Sequence, residues 1–151
     1  MKTIFALMLT AISIFSFAAT PVAGDKVSPR IQASLEKEFA GAQYIVWQSL
    51  KKDNVYSARF IYNNEQLNAF FDEDGRLLAT GRIVTQAALP LMVSKNIRKQ
   101  YDKYEFRDAT EYTRDGETSY LVTLESEKHE MVLQAYGSGS TYIVKKTKKK
   151  L

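Results

Sequence analysis

The sequence predicts an α+β fold: a tandem repeat of one helix plus four antiparallel strands, with the sheets joined edge to edge and both helices on one face. Three observations predict it. Two segments carry an apolar residue at every fourth position, Ile31, Leu35 and Phe39 in one and Val93, Ile97 and Tyr101 in the other, which is a helical stripe. After each stripe come four stretches that alternate apolar and polar residues, broken by turn residues, which is the period of half-buried strands. The halves also register. The first stripe lies 62 positions before the second, and Tyr56, Phe60, Ala69 and Gly75 lie 64 positions before Tyr120, Leu124, Leu133 and Gly139.

The elements follow in order. Ser28 suits an N-cap and Pro29 the first helical position, where a missing N–H costs nothing. Gly41 suits the left-handed position just past the helix end. Strands are expected over residues 42–50, 55–62, 65–71 and 76–84. The turns between them are the polar residues 51–54, Asn63-Asn64 and residues 72–75. Leu89-Pro90 opens the second helix. Strands are then expected over residues 104–113, 118–125, 129–136 and 141–146.

Alternation assigns the two faces of the sheet. Ile45, Trp47, Tyr56, Ala58, Phe60, Leu67, Ala69 and Phe71 point to a helix, as do Tyr120, Val122, Leu124, Met131, Leu133 and Ala135. The opposite face is expected to be open. Its candidate partner-binding residues are Tyr44, Val46, Arg59, Ile61 and Phe70 from the first half, and Leu121, Val132 and Tyr136 from the second. Aromatic and aliphatic side chains interleaved with Arg, Gln and Asn have the composition of a protein-contact surface.

The N-terminus reads as an export signal over residues 1–18. Lys2 is followed by an apolar run over residues 4–17, shorter than a membrane span, and Ser16-Phe17-Ala18 offers small residues for a cut after Ala18, with Ala23 as a second position. Residues 19–26 form a polar leader. The domain is expected over residues 27–147, with repeats over 27–86 and 87–147, and residues 148–151 form a basic tail. The mature chain is expected in the periplasm or outside the cell, without stable membrane insertion. There is no Cys, hence no lipidated cysteine, disulfide or thiolate site. The net charge of +4 is a property of the ends. Lys2 and the five lysines among the last seven residues account for more than all of it, and without them the body carries −2. A frayed, solvated terminus is the expected state of those lysines, and no nucleic-acid partner is expected.

Catalytic chemistry finds no frame. His129 is the only histidine and shows no metal-ligand spacing. Gly137-Ser138-Gly139-Ser140 sits at a hairpin and lacks the strand-turn-helix context of a nucleophile elbow. Residues 72–75 resemble the start of a calcium loop, yet the closing position is Ile83. No metal, cofactor or catalytic residue is expected.

Several of these residues together form a pattern. Phe39 at a helix end, Ala42, Ile45 and Trp47, then Tyr56, Ala58 and Phe60, then Ala69, Phe71, Asp72 and Gly75, and Leu89-Pro90 opening a helix that ends in Tyr101 resemble the PepSY-like family, also described as beta-lactamase-inhibitor-like. The resemblance spans about residues 27–147. It implies an exported protein of a Bacteroidetes-type bacterium whose open sheet face meets a protein partner. No inhibitory loop motif matches, and the chain lacks the cysteines of the inhibitor that gives the family its name. The expected function is a non-catalytic protein-binding module, an inhibitor or regulator of a hydrolase or peptidase. A second class stays open: a binder of a small molecule or envelope ligand, using a pocket between helices and sheet.

Overall fold

The computed structural model describes residues 20–23, 26–50 and 54–150. The expected export signal and the turn residues 51–53 lie outside them. The chain divides into two compact units, Met1–Arg82 and Ile83–Leu151.

In the first unit, Ser28 caps α1 (Pro29–Glu38), its Oγ accepting from the Ile31 N–H at 3.3 Å, and Pro29 stands in the first turn. The helix buries Ile31 and Leu35 and ends at Phe39, whose N–H donates to the Leu35 carbonyl. The strands are β1 (Thr20–Val22), β2 (Gln43–Leu50), β3 (Val55–Tyr62), β4 (Glu65–Phe71) and β5 (Leu77–Val84), the last running just past the unit's end. They pair antiparallel in chain order. Asn63 and Asn64, both at positive φ, make the two-residue turn between β3 and β4, a geometry matched to strand twist. The core holds Val27, Ile31, Leu35, Trp47, Ala58, Phe60, Ala69 and Phe71. The Phe39 ring meets Phe60 at 4.9 Å and Tyr62 edge-on at 5.7 Å.

In the second unit, α2 (Leu91–Gln100) starts at Pro90 without a side-chain cap and buries Val93 and Ile97. Arg98 and Lys99 in its last turn complement the negative end of the helix dipole. The strands β6 (Glu105–Arg114), β7 (Glu117–Glu125), β8 (His129–Tyr136) and β9 (Thr141–Lys148) pair antiparallel in order. The core gathers Val93 and Ile97 with Ala109, Val122, Leu124, Met131, Leu133 and Ala135.

The fold class differs from the expectation. The chain is mostly sheet, with nine strands and only two α-helices of ten residues each among the described residues, not a tandem of equal helix-plus-four-strand units with both helices on one face. The expected leader contributes a strand of its own. β1 runs antiparallel to β2, with Thr20 opposite Ser49 and Val22 opposite Trp47. Three residues centred on a proline carry no alternation to read, and an edge is where proline is tolerated.

The C-terminal lysines differ as well. β9 runs past its expected end at residue 146 to Lys148, so Lys148 stands in the strand and not in a frayed tail, and the Lys149 N–H donates to the Lys128 carbonyl at 2.9 Å. Among the described residues β9 pairs only with β8, so it is an edge strand. Its lysines and the register shift opposite Val132 and Leu133 are features that keep such an edge from pairing with another chain. Lys149 Nζ also bonds Glu125 Oε2 at 3.0 Å. This hydrogen bond and the ammonium charge, helped by Arg107 and opposed by slight desolvation, hold the Glu125 carboxyl below its ordinary range.

Two predictions follow from this packing. The helix and hairpin of the second unit touch at Gly139, which has φ +92°; a Cβ there would stand 2.8 Å from Asn96 Nδ2 and 3.0 Å from the Met92 carbonyl oxygen. Gly139→Ala therefore lowers the unfolding free energy by about 1–3 kcal/mol in urea titration. For Glu125, a depressed folded pKa adds stability above the unfolded pKa, and that stability is lost as pH falls through the folded value. Lys149→Ala is expected to move the Glu125 side-chain NMR titration upward toward the ordinary carboxyl range; an unmoved titration would break the assignment.

Candidate protein-contact surface

β2 does not run as a regular strand. Gln43 stands opposite Ile61 and Val46 opposite Arg59, so Tyr44 and Ile45 together face the single residue between those partners. This is a β-bulge, a device that re-aims side chains and recurs beside functional sites. Tyr44 adopts φ 55°, the left-handed region that a bulky residue rarely enters. Tyr44 is 81 % exposed, Ile45 40 % and Val46 47 %, so three consecutive apolar side chains stand in solvent. Left-handed backbone at a non-glycine residue costs about 1–3 kcal/mol and persists only where the surroundings impose it. Here β2 is held just beyond the bulge, where Trp47 is buried and its ring lies 6.2 Å from Phe71.

The antiparallel register sets what lies beside the bulge. On the face turned from α1, one cross-strand row reads Val46, Arg59, Asn68 and Gly81, and the next reads Gln48, Ser57, Phe70 and Ala79. Ile61 stands opposite Gln43 and Gln66. The expected contact residues thus divide. Tyr44, Val46 and Arg59 are exposed and adjacent, with Ile61 half-buried beside them. Phe70 is 3 % exposed. In the second unit Leu121 is buried, while Val132 and Tyr136 are half-buried. Ile45 is an addition by its exposure: it shares the bulge opposite Phe60 and is 40 % exposed. No residue type in the segment signals a bulge, because neither glycine nor proline marks it.

The second unit has its own cross-strand row of Tyr112, Ser119 and Tyr136. Gln134 Nε2 donates to the Tyr136 hydroxyl at 2.6 Å, and the Tyr136 ring meets Tyr142 edge-on at 6.1 Å. Burial pushes the Tyr112 hydroxyl far above its usual pKa, so it stays a neutral group there. Ser119 Oγ is fully buried and makes no hydrogen bond with any described residue. His129 opens β8, its N–H donating to Ser126 Oγ at 3.1 Å as part of the turn. Among the described residues, no group of three or more His, Cys, Asp or Glu could hold a metal ion. No helix among them is long and apolar enough to cross a membrane.

Solved structures of Bacteroides proteins share this architecture. A DUF2874 family protein from Bacteroides uniformis superposes with a TM-score of 0.70 at 16 % identity, covering 80 % of this chain and 88 % of its own. A BLIP-like protein from Bacteroides fragilis gives 0.65 at 22 % identity, covering 80 % and 85 %. The fold is BLIP-like. A Bacteroides eggerthii protein described as periplasmic gives 0.70 at 15 % identity, covering 81 % and 88 %. At these identities the likeness is one of fold. No protein-family model and no curated protein matches the chain.

Because the exposed Tyr44 side chain contributes little packing in this BLIP-like fold, its backbone strain should be visible in stability. Tyr44→Gly is expected to raise the unfolding free energy by about 1 kcal/mol, since glycine enters the left-handed region freely. Chemical denaturation measures this, and a loss of stability would show that the side chain, not the backbone, dominates at that position.

Proposed function

We propose that the protein is exported and works by surface contact with another protein, as an inhibitor or regulator of a hydrolase or peptidase in the periplasm or outside the cell. Tyr44, Ile45 and Val46 carry this reading: three consecutive exposed apolar residues at a strained bulge. A run of exposed apolar side chains is unfavourable in a free protein unless it has a task. Strain held at an exposed position also suits a site shaped for contact. Arg59 and Ile61 extend the surface, since arginine and large apolar groups dominate contact energies. The fold shared with a BLIP-like protein supports the same reading. The export signal proposed for residues 1–18 supports the location, as does the likeness to a protein described as periplasmic.

A small-molecule site draws on one observation, the unbonded Ser119 Oγ. It has less support. Where α1 and α2 meet the strands of their own units, Ile31, Val93, Ala58, Ala69, Val122 and Leu133 are fully buried in apolar clusters, so a ligand would have to displace core.

The test is affinity capture from a cell-envelope extract with the exported chain as bait, followed by assay of the captured enzyme with and without the protein. The expected result is one retained hydrolase or peptidase whose activity changes on binding, and which the double variant Tyr44→Ala, Val46→Ser no longer retains although it stays folded. Recovery of no protein, together with a co-purifying small molecule in native mass spectrometry, would overturn the proposal in favour of ligand binding.

A further inference from the structure

The charge beside the bulge is unbalanced. Arg59 is exposed, and its side chain makes no ion pair or hydrogen bond with any described residue. The residues that share its face of the sheet are Gln43, Val46, Gln48, Ser57, Ile61, Gln66, Asn68 and Phe70, together with Ala79 and Gly81. None is a carboxylate. The nearest acid along β4, Glu65, stands opposite Tyr62 on the α1 side and pairs with Arg82 at 4.0 Å. A guanidinium is thus set into a face that holds only amides, a hydroxyl and apolar groups.

We infer that the surface formed by Val46, Ile61 and Arg59, with the exposed Tyr44 at the bulge beside it, receives an acidic loop of a partner protein, which sets an aliphatic or aromatic side chain on these apolar groups and a carboxylate on Arg59. The inference rests on the protein-binding reading above and adds the partner's chemistry. Arginine presents a planar fork that matches a carboxylate in two parallel hydrogen bonds. Val46 and Ile61 flank it and exclude water once covered, which strengthens the pair beyond an ordinary surface ion pair. A polyanion such as nucleic acid would want a run of cations, whereas among the described residues this face of the first unit offers Arg59 alone. A loop fits better than an added strand. β1 already occupies the other edge of β2 at Trp47, Gln48 and Ser49, and the bulge breaks the ladder beyond.

A displayed library of random cyclic peptides, selected on the exported chain, tests this without a known partner. The expected outcome is enrichment of peptides with Asp or Glu close to Phe, Leu or Ile, whose affinity falls as salt rises. Arg59→Gln should weaken them about tenfold or more, and Arg59→Lys should restore part of the loss. Arg59 is exposed, so neither substitution threatens the fold. If enriched peptides lose affinity on Tyr44→Ala but bind Arg59→Gln unchanged, the acidic partner is refuted while the contact surface stands. If no peptide is enriched, or binding ignores both positions, the contact reading fails with it.

Discussion

Ala58 stands directly opposite Ala69, and both are fully buried. The first unit depends on this pair of short side chains. A helix of ten residues is marginal on its own, because nucleation fixes several dihedrals before any hydrogen bond repays them. α1 buries only Ile31 and Leu35, worth roughly 1.5–3 kcal/mol each, so its place must be one where both are wholly covered. Two alanines at facing positions of β3 and β4 leave that space. Phe39 closes one end with its ring tilted against Phe60 and edge-on to Tyr62. At the other end the β4–β5 turn approaches the helix so closely that a Cβ on Gly75 would stand 2.8 Å from Ser34 Oγ. The second unit reaches the same result with a specific bond: Asn96 Nδ2 donates to the Gly139 carbonyl at 2.8 Å and ties α2 to the last hairpin.

A well-seated core is what allows β2 to be irregular. The bulge at Tyr44 and Ile45 costs backbone energy and exposes apolar surface, and neither loss is recovered within the free chain. Both are tolerable because the strand is secured next door. Trp47 sits in the core cluster, β1 pairs along Trp47, Gln48 and Ser49, and β3 pairs on the other side from Val46 to Leu50. The cost of shaping the surface is therefore local, while the anchoring is shared across three strands.

The sequence makes the elements legible to different degrees, for physical reasons. Ser28-Pro29 and the four-residue stripes locate both helices because capping and burial are local. The alternation in β3, β4, β7 and β8 locates these strands to within a residue, and Asn63-Asn64 marks its turn because asparagine tolerates positive φ. What escapes is what no local period encodes. β1 is too short for alternation, and its pairing is a matter of distant register. The last two residues of β9, Thr147 and Lys148, escape because the lysine run reads as solvated tail, whereas Lys148 in fact lines an edge. The proportion of sheet to helix was overestimated on the helical side, since a repeated stripe says where a helix lies but not how little of the layer it covers. At the candidate site, alternation puts Val46 and Arg59 on one face, as the register does, and it fails at Gln43, which stands opposite Ile61 because a single inserted residue reverses the count.

The same residues show why net charge is a poor guide to this protein. The formal +4 comes from groups with different tasks. On β9, lysines occupy an edge strand, and just beyond its end Lys149 is matched to Glu125. Their position along an open ladder serves to discourage pairing, a role that needs charge and no particular geometry. Arg59 belongs to the other unit, lies within the sheet and not at its edge, and among the described residues shares its face with amides, a hydroxyl and apolar groups. A cation placed there does nothing for the ladder and pairs with no anion among the described residues. Its place beside the strained apolar bulge is what the proposed acidic partner would use.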